Sequence, residues 1–184
     1  MSAIQELVKF VIEIYAMILL LRAWLQYCKV DFYNPISQTI VKFTQPVLAP
    51  VRKFIPNKNN LDLAAIVAAF VLCALKYPLI ALVSGEFITD WTSAVIVGAL
   101  GVVKTAGTVL IYMIFIRAIL SWFSRGQNPV DYVLYQLTEP LMSPIRKFLP
   151  RTGMIDFAPM ILVFVLYFIN RFLYDILGAY WALA

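Results

Sequence analysis

Histidine is missing altogether from the 184 residues, and cysteine occurs only twice, as Cys28 and Cys73. Without an imidazole there is no ordinary general base, no zinc or haem ligand of the usual kind, and no switch titrating near neutrality. The two cysteines are far apart and form no CxxC, so neither a redox centre nor a structural metal is supported; two apolar thiols packed among helices fit better than a disulfide. Charge is scarce as well. Only 14% of residues are charged and 62% are hydrophobic, where a soluble domain carries about 25% charge. So few charges could not keep such a globule dissolved, and the apolar residues fall in long blocks that call for lipid as solvent. A soluble enzyme and a disordered chain are both excluded. There is no Walker loop, no GxSxG and no metal-ligand pattern, and Ser121 and Ser143 have no histidine to activate them. The sequence therefore predicts no catalysis and no cofactor. Nucleic-acid binding would need a larger basic surface with a reading element.

What is there is apolar length and ordered charge. Four hydrophobic stretches, 4–27, 61–83, 94–123 and 157–182, are long enough to span, since ~20 helical residues cross a ~30 Å hydrocarbon layer. Glu6 and Glu13 interrupt the first where a signal peptide would need an uncharged core, so it stays as a span. Net charge is +5. Lys29, Lys42, Arg52, Lys53 and Lys58 lie between the first two stretches, and Arg125, Arg146, Lys147 and Arg151 between the last two. The middle connection, Ser84 to Ser93, has Glu86 and Asp90 and no cation. The positive-inside rule then places both basic loops in the cytoplasm and both termini outside.

The chain repeats itself at a shift of 94 residues. NPISQTIVKFTQPVLAPVRKFIPNKNNLD from Asn34 returns as NPVDYVLYQLTEPLMSPIRKFLPRTGMID from Asn128. Asn34, Pro35, Thr44, Pro46, Pro50, Arg52, Lys53, Phe54, Pro56 and Asp62 recur as Asn128, Pro129, Thr138, Pro140, Pro144, Arg146, Lys147, Phe148, Pro150 and Asp156. Upstream, Arg22-Ala23 recurs as Arg117-Ala118 with one residue of slippage. The predicted organisation is a duplicated unit: repeat 1 over 1–83 with its loop at 28–60, a linker over 84–93, and repeat 2 over 94–184 with its loop at 124–155. Two spans per unit make both units point the same way, unlike the inverted repeats of many ion-coupled transporters.

Within each loop, Asn followed by Pro is a helix start. Ile36, Ile40, Phe43 and Val47 form an apolar stripe, matched by Val130, Leu134, Leu137 and Leu141. A helix of about ten residues is ~15 Å long, too short to span, and reads as an amphipathic segment on the membrane surface. Pro46 and Pro50, with Pro140 and Pro144, should end or sharply bend it. The Arg-Lys-Phe triplets that follow, Arg52, Lys53 and Phe54 and again Arg146, Lys147 and Phe148, suit an anionic leaflet or a partner. They equally satisfy a purely topological role, and a short re-entrant hairpin is a third reading. Asp62 and Asp156 open the second spans either as N-caps or as ion-pair partners of Arg22 and Arg117. Within the apolar stretches, Lys9 with Glu13 and Arg171 with Asp175 are spaced to pair along one helix face. Lys76 and Lys104 can snorkel, and Asn170 can bond across helices.

The two copies of Arg-Ala, Asn-Pro, Thr-x-Pro-x-x-x-Pro-x-Arg-Lys-Phe-x-Pro and Asp resemble the repeat of the YggT (YlmG-like) family, in its two-repeat proteobacterial form. That resemblance implies a multi-pass protein of the bacterial inner membrane without established enzymatic activity. Roles associated with the family are osmotic-shock tolerance and potassium uptake, with division or cofactor-assembly machinery as partners in relatives. The expected fold is all-α: four transmembrane helices from two parallel hairpins, each with a cytoplasmic amphipathic, proline-broken loop. The expected function is a non-enzymatic adaptor whose paired loops engage anionic lipid and a membrane or cytoplasmic protein, or a second copy. The alternative is a component of a potassium-type transport system or channel.

Overall fold

The computed structural model describes residues 3–56, 61–85, 90–123, 128–149 and 156–184, the side chains of 121–123 excepted. Among these the chain forms seven helices: α1 (Ala3–Tyr27), α2 (Pro35–Val51), α3 (Leu63–Val83), α4 (Trp91–Phe123), α5 (Pro129–Phe148), α6 (Ala158–Leu177) and α7 (Ala179–Leu183). Leu63–Val83, Trp91–Leu120 and Ala158–Leu177 are long and apolar enough to cross a membrane. The first helix is 25 residues long but sets Glu6, Lys9, Glu13 and Arg22 among its apolar residues.

Local sequence explains the helix ends. Asn34 Oδ1 accepts from the Ile36 N–H at 3.0 Å, and Asn128 Oδ1 from the Val130 N–H at 3.0 Å. In each case proline fills the first helical turn, where its missing N–H costs nothing. The end of α1 is a Schellman turn: Val30 N–H reaches the Leu25 carbonyl and Lys29 N–H the Gln26 carbonyl, both at 3.1 Å. Lys29 holds the left-handed position at φ 53°, one that normally falls to glycine. Val30 and Leu25 then bury together in one apolar cluster.

Both loop helices correct the expectation of a break at proline. Pro46 and Pro50 lie inside α2, and Pro140 and Pro144 inside α5. Each helix is therefore about twice the expected length, and Arg146, Lys147 and Phe148 form the last turn of α5. A helix survives internal proline where the liberated carbonyls are solvated or find other donors. Pro46 takes the helical partner from the Lys42 carbonyl, on an exposed residue; the carbonyls on either side are held from α1, that of Phe43 by the Tyr15 hydroxyl at 3.0 Å and that of Val41 by Arg22 at 3.3 Å. In the turn before Pro140 the Trp24 indole donates to the Leu137 carbonyl at 2.9 Å. A second correction concerns the last span, expected to run to 182. The chain turns at Gly178, φ +52°, and α7 folds back against α4 and α6.

The core has α3 between α1 and α4. Leu19, Leu20 and Ala23 of α1 meet Ala64, Ala65, Ala68 and Ala69 of α3, with Leu48 of α2 sealing one end. On the other side α3 and α4 touch almost backbone to backbone: a Cβ on Gly98 would lie 2.6 Å from Ala74 Cβ and 2.8 Å from its Cα. Small residues at such a crossing are how helices approach closely in lipid, where dispersion replaces the hydrophobic effect as the driving force. A separate cluster joins Leu25 and Val30 to Val109 and Met113 of α4 and to Val133, Leu134 and Leu137 of α5. Helix α6 is peripheral, and Phe164, Tyr167, Phe168 and Phe172 face outward along it.

Candidate functional site: a polar clamp made twice

Arg22, in the last turns of α1, is buried, and burying a guanidinium is costly unless charge and hydrogen bonds compensate. Compensation comes from two segments, α2 and the start of α3. Its Nε lies 3.4 Å from Asp62 Oδ2. One terminal nitrogen donates to Thr44 Oγ1, and the other to Gln45 Oε1 at 3.3 Å. Thr44 passes its own proton to the Ile40 carbonyl at 2.7 Å, a back-bond open to threonine within a helix. Asp62, wholly buried, accepts a second guanidinium: Arg52 lies 2.5 Å from Oδ2. Its other oxygen accepts from the Ala65 N–H at 3.2 Å and caps α3. The cap and the ion pair, alternatives on sequence grounds, are thus one arrangement. Arg22, Thr44, Arg52 and Asp62 tie the end of α1, the middle and end of α2, and the start of α3.

The second copy keeps the plan and changes the wiring. Arg117 of α4 donates to Thr138 Oγ1, and Thr138 donates to the Leu134 carbonyl at 2.7 Å. Asp156 Oδ1 accepts from the Ala158 N–H at 3.0 Å. Its ion-pair partner is Arg146 at 2.6 Å, not Arg117. Arg117 instead stacks on the Tyr135 ring at 5.0 Å and reaches Met142 Sδ at 3.2 Å. Arg146 is shared with Glu139, also at 2.6 Å. Hydrogen bonding to Asp156, against some burial, raises the Arg146 pKa above the ordinary guanidinium value. Burial pushes Asp156 up, but the Arg146 hydrogen bond, the Ala158 N–H and the neighbouring guanidinium charges outweigh it and hold the carboxyl below the usual range.

The Arg-Lys-Phe triplets therefore divide. Arg52 and Arg146 turn inward to the aspartates, whereas Lys53, Phe54, Lys147 and Phe148 face outward, with Phe54 85% and Phe148 90% exposed. Pro46, Pro50, Pro56, Pro140 and Pro144 are exposed along the same segments; Pro150 lies outside the described residues. An open groove of about 770 Å³ runs between α1 and α2, lined by Arg22, Gln26, Lys42, Gln45 and Arg52 among others.

Charges inside the apolar helices are rearranged relative to expectation. Glu13 pairs across helices with Lys76 at 3.2 Å rather than along α1 with Lys9. Lys76 is buried and does not snorkel; it also donates to the Ala184 carbonyl. Lys104 donates to the Trp181 carbonyl at 2.9 Å, so α7 and the Ala184 residue that ends it supply acceptors to both lysines. Asn170 accepts from the Trp181 indole at 3.0 Å. Arg171 and Asp175 pair as their spacing predicts, at 3.3 Å. Among the described residues, cysteines and carboxylates form no group able to hold a metal.

The residues that build the clamp twice are the ones that recur between the two repeats, and a family of known proteins matches the chain in two segments. The sequence model of the CCB3/YggT family matches residues 1–83 and 96–177. The chain belongs to this family. YggT of Escherichia coli K12 is 43% identical over 179 residues, which cover 97% of this chain and 93% of that protein. An uncharacterized protein of Haemophilus influenzae is 44% identical over 174 residues, covering 95% and 93%. An uncharacterized Vibrio alginolyticus protein from the proC 3′ region is 41% identical over 182 residues, covering 98% of each. No solved structure matches. In this member of the CCB3/YggT family, sequence reasoning misses Tyr15 and Trp24, which donate to helix carbonyls, and Tyr135, whose ring lies under Arg117, since such aromatic contacts leave no spacing pattern. Glu139 was findable. It stands where the first repeat has Gln45, and an acid in that register is available to the neighbouring arginine.

Proposed function

We propose that this YggT-family protein is a non-enzymatic scaffold of the bacterial inner membrane. It presents two loop helices, α2 and α5, on the cytoplasmic leaflet for anionic lipid and a protein partner. The observation that carries this reading is the division of labour in the repeat. Arg22, Thr44, Arg52 and Asp62, with Arg117, Thr138, Arg146 and Asp156, spend their polar groups on fixing each loop helix against its spans. Lys53 with Phe54 and Lys147 with Phe148 are left pointing away from the protein. A cation beside a phenyl ring suits the headgroup layer, where each charge near an acidic surface contributes ~1 kcal/mol. In this reading α1, α3, α4 and α6 all span and both termini face outward. The physiological role is support of osmotic-stress tolerance or envelope homeostasis.

Photocrosslinkers at Phe54 and Phe148 in intact cells test it. A discrete protein adduct together with headgroup adducts is the expected result, and labelling of either position by an impermeant reagent from outside would overturn it. The transport reading rests on the Glu13–Lys76 pair within the apolar helices, of which Lys76 is buried, since ionisable groups there mark ion paths. Purified protein in liposomes under a potassium gradient decides it: saturable flux supports transport, and none refutes it.

A further inference from the structure

The two clamps differ in charge, and the difference falls on an open groove. Around the first, Arg22, Lys42 and Arg52 face one carboxylate, Asp62, which is itself wholly buried. Around the second, Gln136 replaces Lys42 and Glu139 replaces Gln45. Arg117 and Arg146 there face two carboxylates, Glu139 and Asp156, both bonded to Arg146. The second site neutralises itself, and the first, with three cations sharing one carboxylate, keeps an excess of positive charge.

Three details of the first groove point to an anion. Lys42 makes no ion pair among the described residues. The Arg52 Nε–H is buried without an acceptor, although the same guanidinium serves Asp62 through another nitrogen. Gln26, Gln38 and Gln45 line the same groove and can donate to phosphate ester oxygens. Guanidinium nitrogens are well matched to phosphate because donors and acceptors meet in pairs. The opening, about 770 Å³, is of small-molecule size. It lies beside the last turns of α1, where the apolar stretch gives way to the basic loop.

We propose that the groove between α1 and α2 is a binding site for the phosphate of one anionic phospholipid headgroup. The first repeat carries it and the second does not. This rests on the membrane-surface reading above and names the ligand of one loop.

The test uses the full chain in neutral detergent, with native mass spectrometry after mixing with equal amounts of phosphatidylglycerol and phosphatidylcholine of identical tails. One phosphatidylglycerol per chain is expected to persist. Lys42→Gln combined with Gln45→Glu, which copies the second repeat, should weaken retention by roughly thirtyfold, as two unit changes of surface charge imply. Lys42→Arg should keep it. Both altered positions are exposed, and an unchanged melting temperature verifies the fold. Equal retention of both lipids overturns the proposal, as does undiminished binding by the double variant. Displacement of the lipid by millimolar inorganic phosphate would reassign the groove to the free ion and likewise overturn it. If the groove fails while Phe54 and Phe148 still crosslink headgroups, the scaffold reading stands without this site. Loss of those crosslinks as well removes both.

Discussion

Replacing Asp62 by Asn separates charge from shape. Asn fits the same space and is an equally good N-cap, so the Ala65 N–H keeps its acceptor and the start of α3 is preserved. What disappears is the charge opposite two guanidinium groups. The Asp62 side chain is 0% exposed and that of Arg22 5%, so Arg22 would be left charged and buried with only neutral acceptors, Thr44, Gln45 and the Val41 carbonyl. Removing one partner of a buried ion pair costs about 3–5 kcal/mol. In the second copy the Asp156 side chain is 44% exposed and that of Arg146 33%. Arg146 also retains Glu139, so Asp156→Asn should cost only about 0–1 kcal/mol, the range of solvated pairs. Reversible denaturation of both variants in the same detergent should therefore show a gap of roughly 2–5 kcal/mol between equivalent substitutions. Adding Arg52→Gln to Asp62→Asn should recover part of the loss by relieving repulsion between Arg22 and Arg52. Equal costs at the two aspartates would refute the argument that burial of the first clamp decides its strength.

Gly98→Val should force α3 and α4 apart and destabilise by about 1–3 kcal/mol or more, while Gly107→Ala, where a Cβ meets nothing within 4 Å, should be neutral or stabilising in the same denaturation assay. Lys29→Gly should relieve the left-handed strain and stabilise by roughly 0.5–1 kcal/mol net of the added chain entropy; a loss would disprove the turn assignment. Burial pushes the Cys28 thiol up to about 11, so maleimide labelling should be slow at neutral pH and accelerate only in strongly alkaline buffer. Because the folded-state pKa of Asp156 is lowered, its contribution is present above the unfolded value and lost as pH falls through the folded one. Protease nicking after the α5 segment should therefore increase on acidification below the ordinary carboxylate range, and Asp156→Asn should show no such rise.

Much of this was legible in the sequence because repetition and periodicity report on the backbone directly. Asn-Pro at two positions gave two helix starts, and the recurrence of Arg22, Thr44, Arg52 and Asp62 marked the residues that meet in space. The endpoints of α2 and α5 were not legible. Proline predicts a break from local geometry alone, and the bonds that brace the turns around Pro46 and Pro140 come from Tyr15, Arg22 and Trp24 on another helix. The partner of Glu13 was hidden for a similar reason. Lys9 is near in sequence, but Lys76 is the lysine that α3 brings against it. The divergence of the two clamps was visible as Lys42 against Gln136 and Gln45 against Glu139, but its meaning required knowing that these positions surround the arginines.

The bond from the Trp24 indole to the Leu137 carbonyl joins the opening helix of the first repeat to the loop helix of the second. The two sequence repeats are thereby interdependent rather than separate in packing. A chain severed in the linker would strip α5 of this external donor and of its Leu25 and Val30 packing. Co-expressed fragments should accordingly reassociate, whereas the C-terminal fragment produced alone should hold its proline-bearing helix poorly.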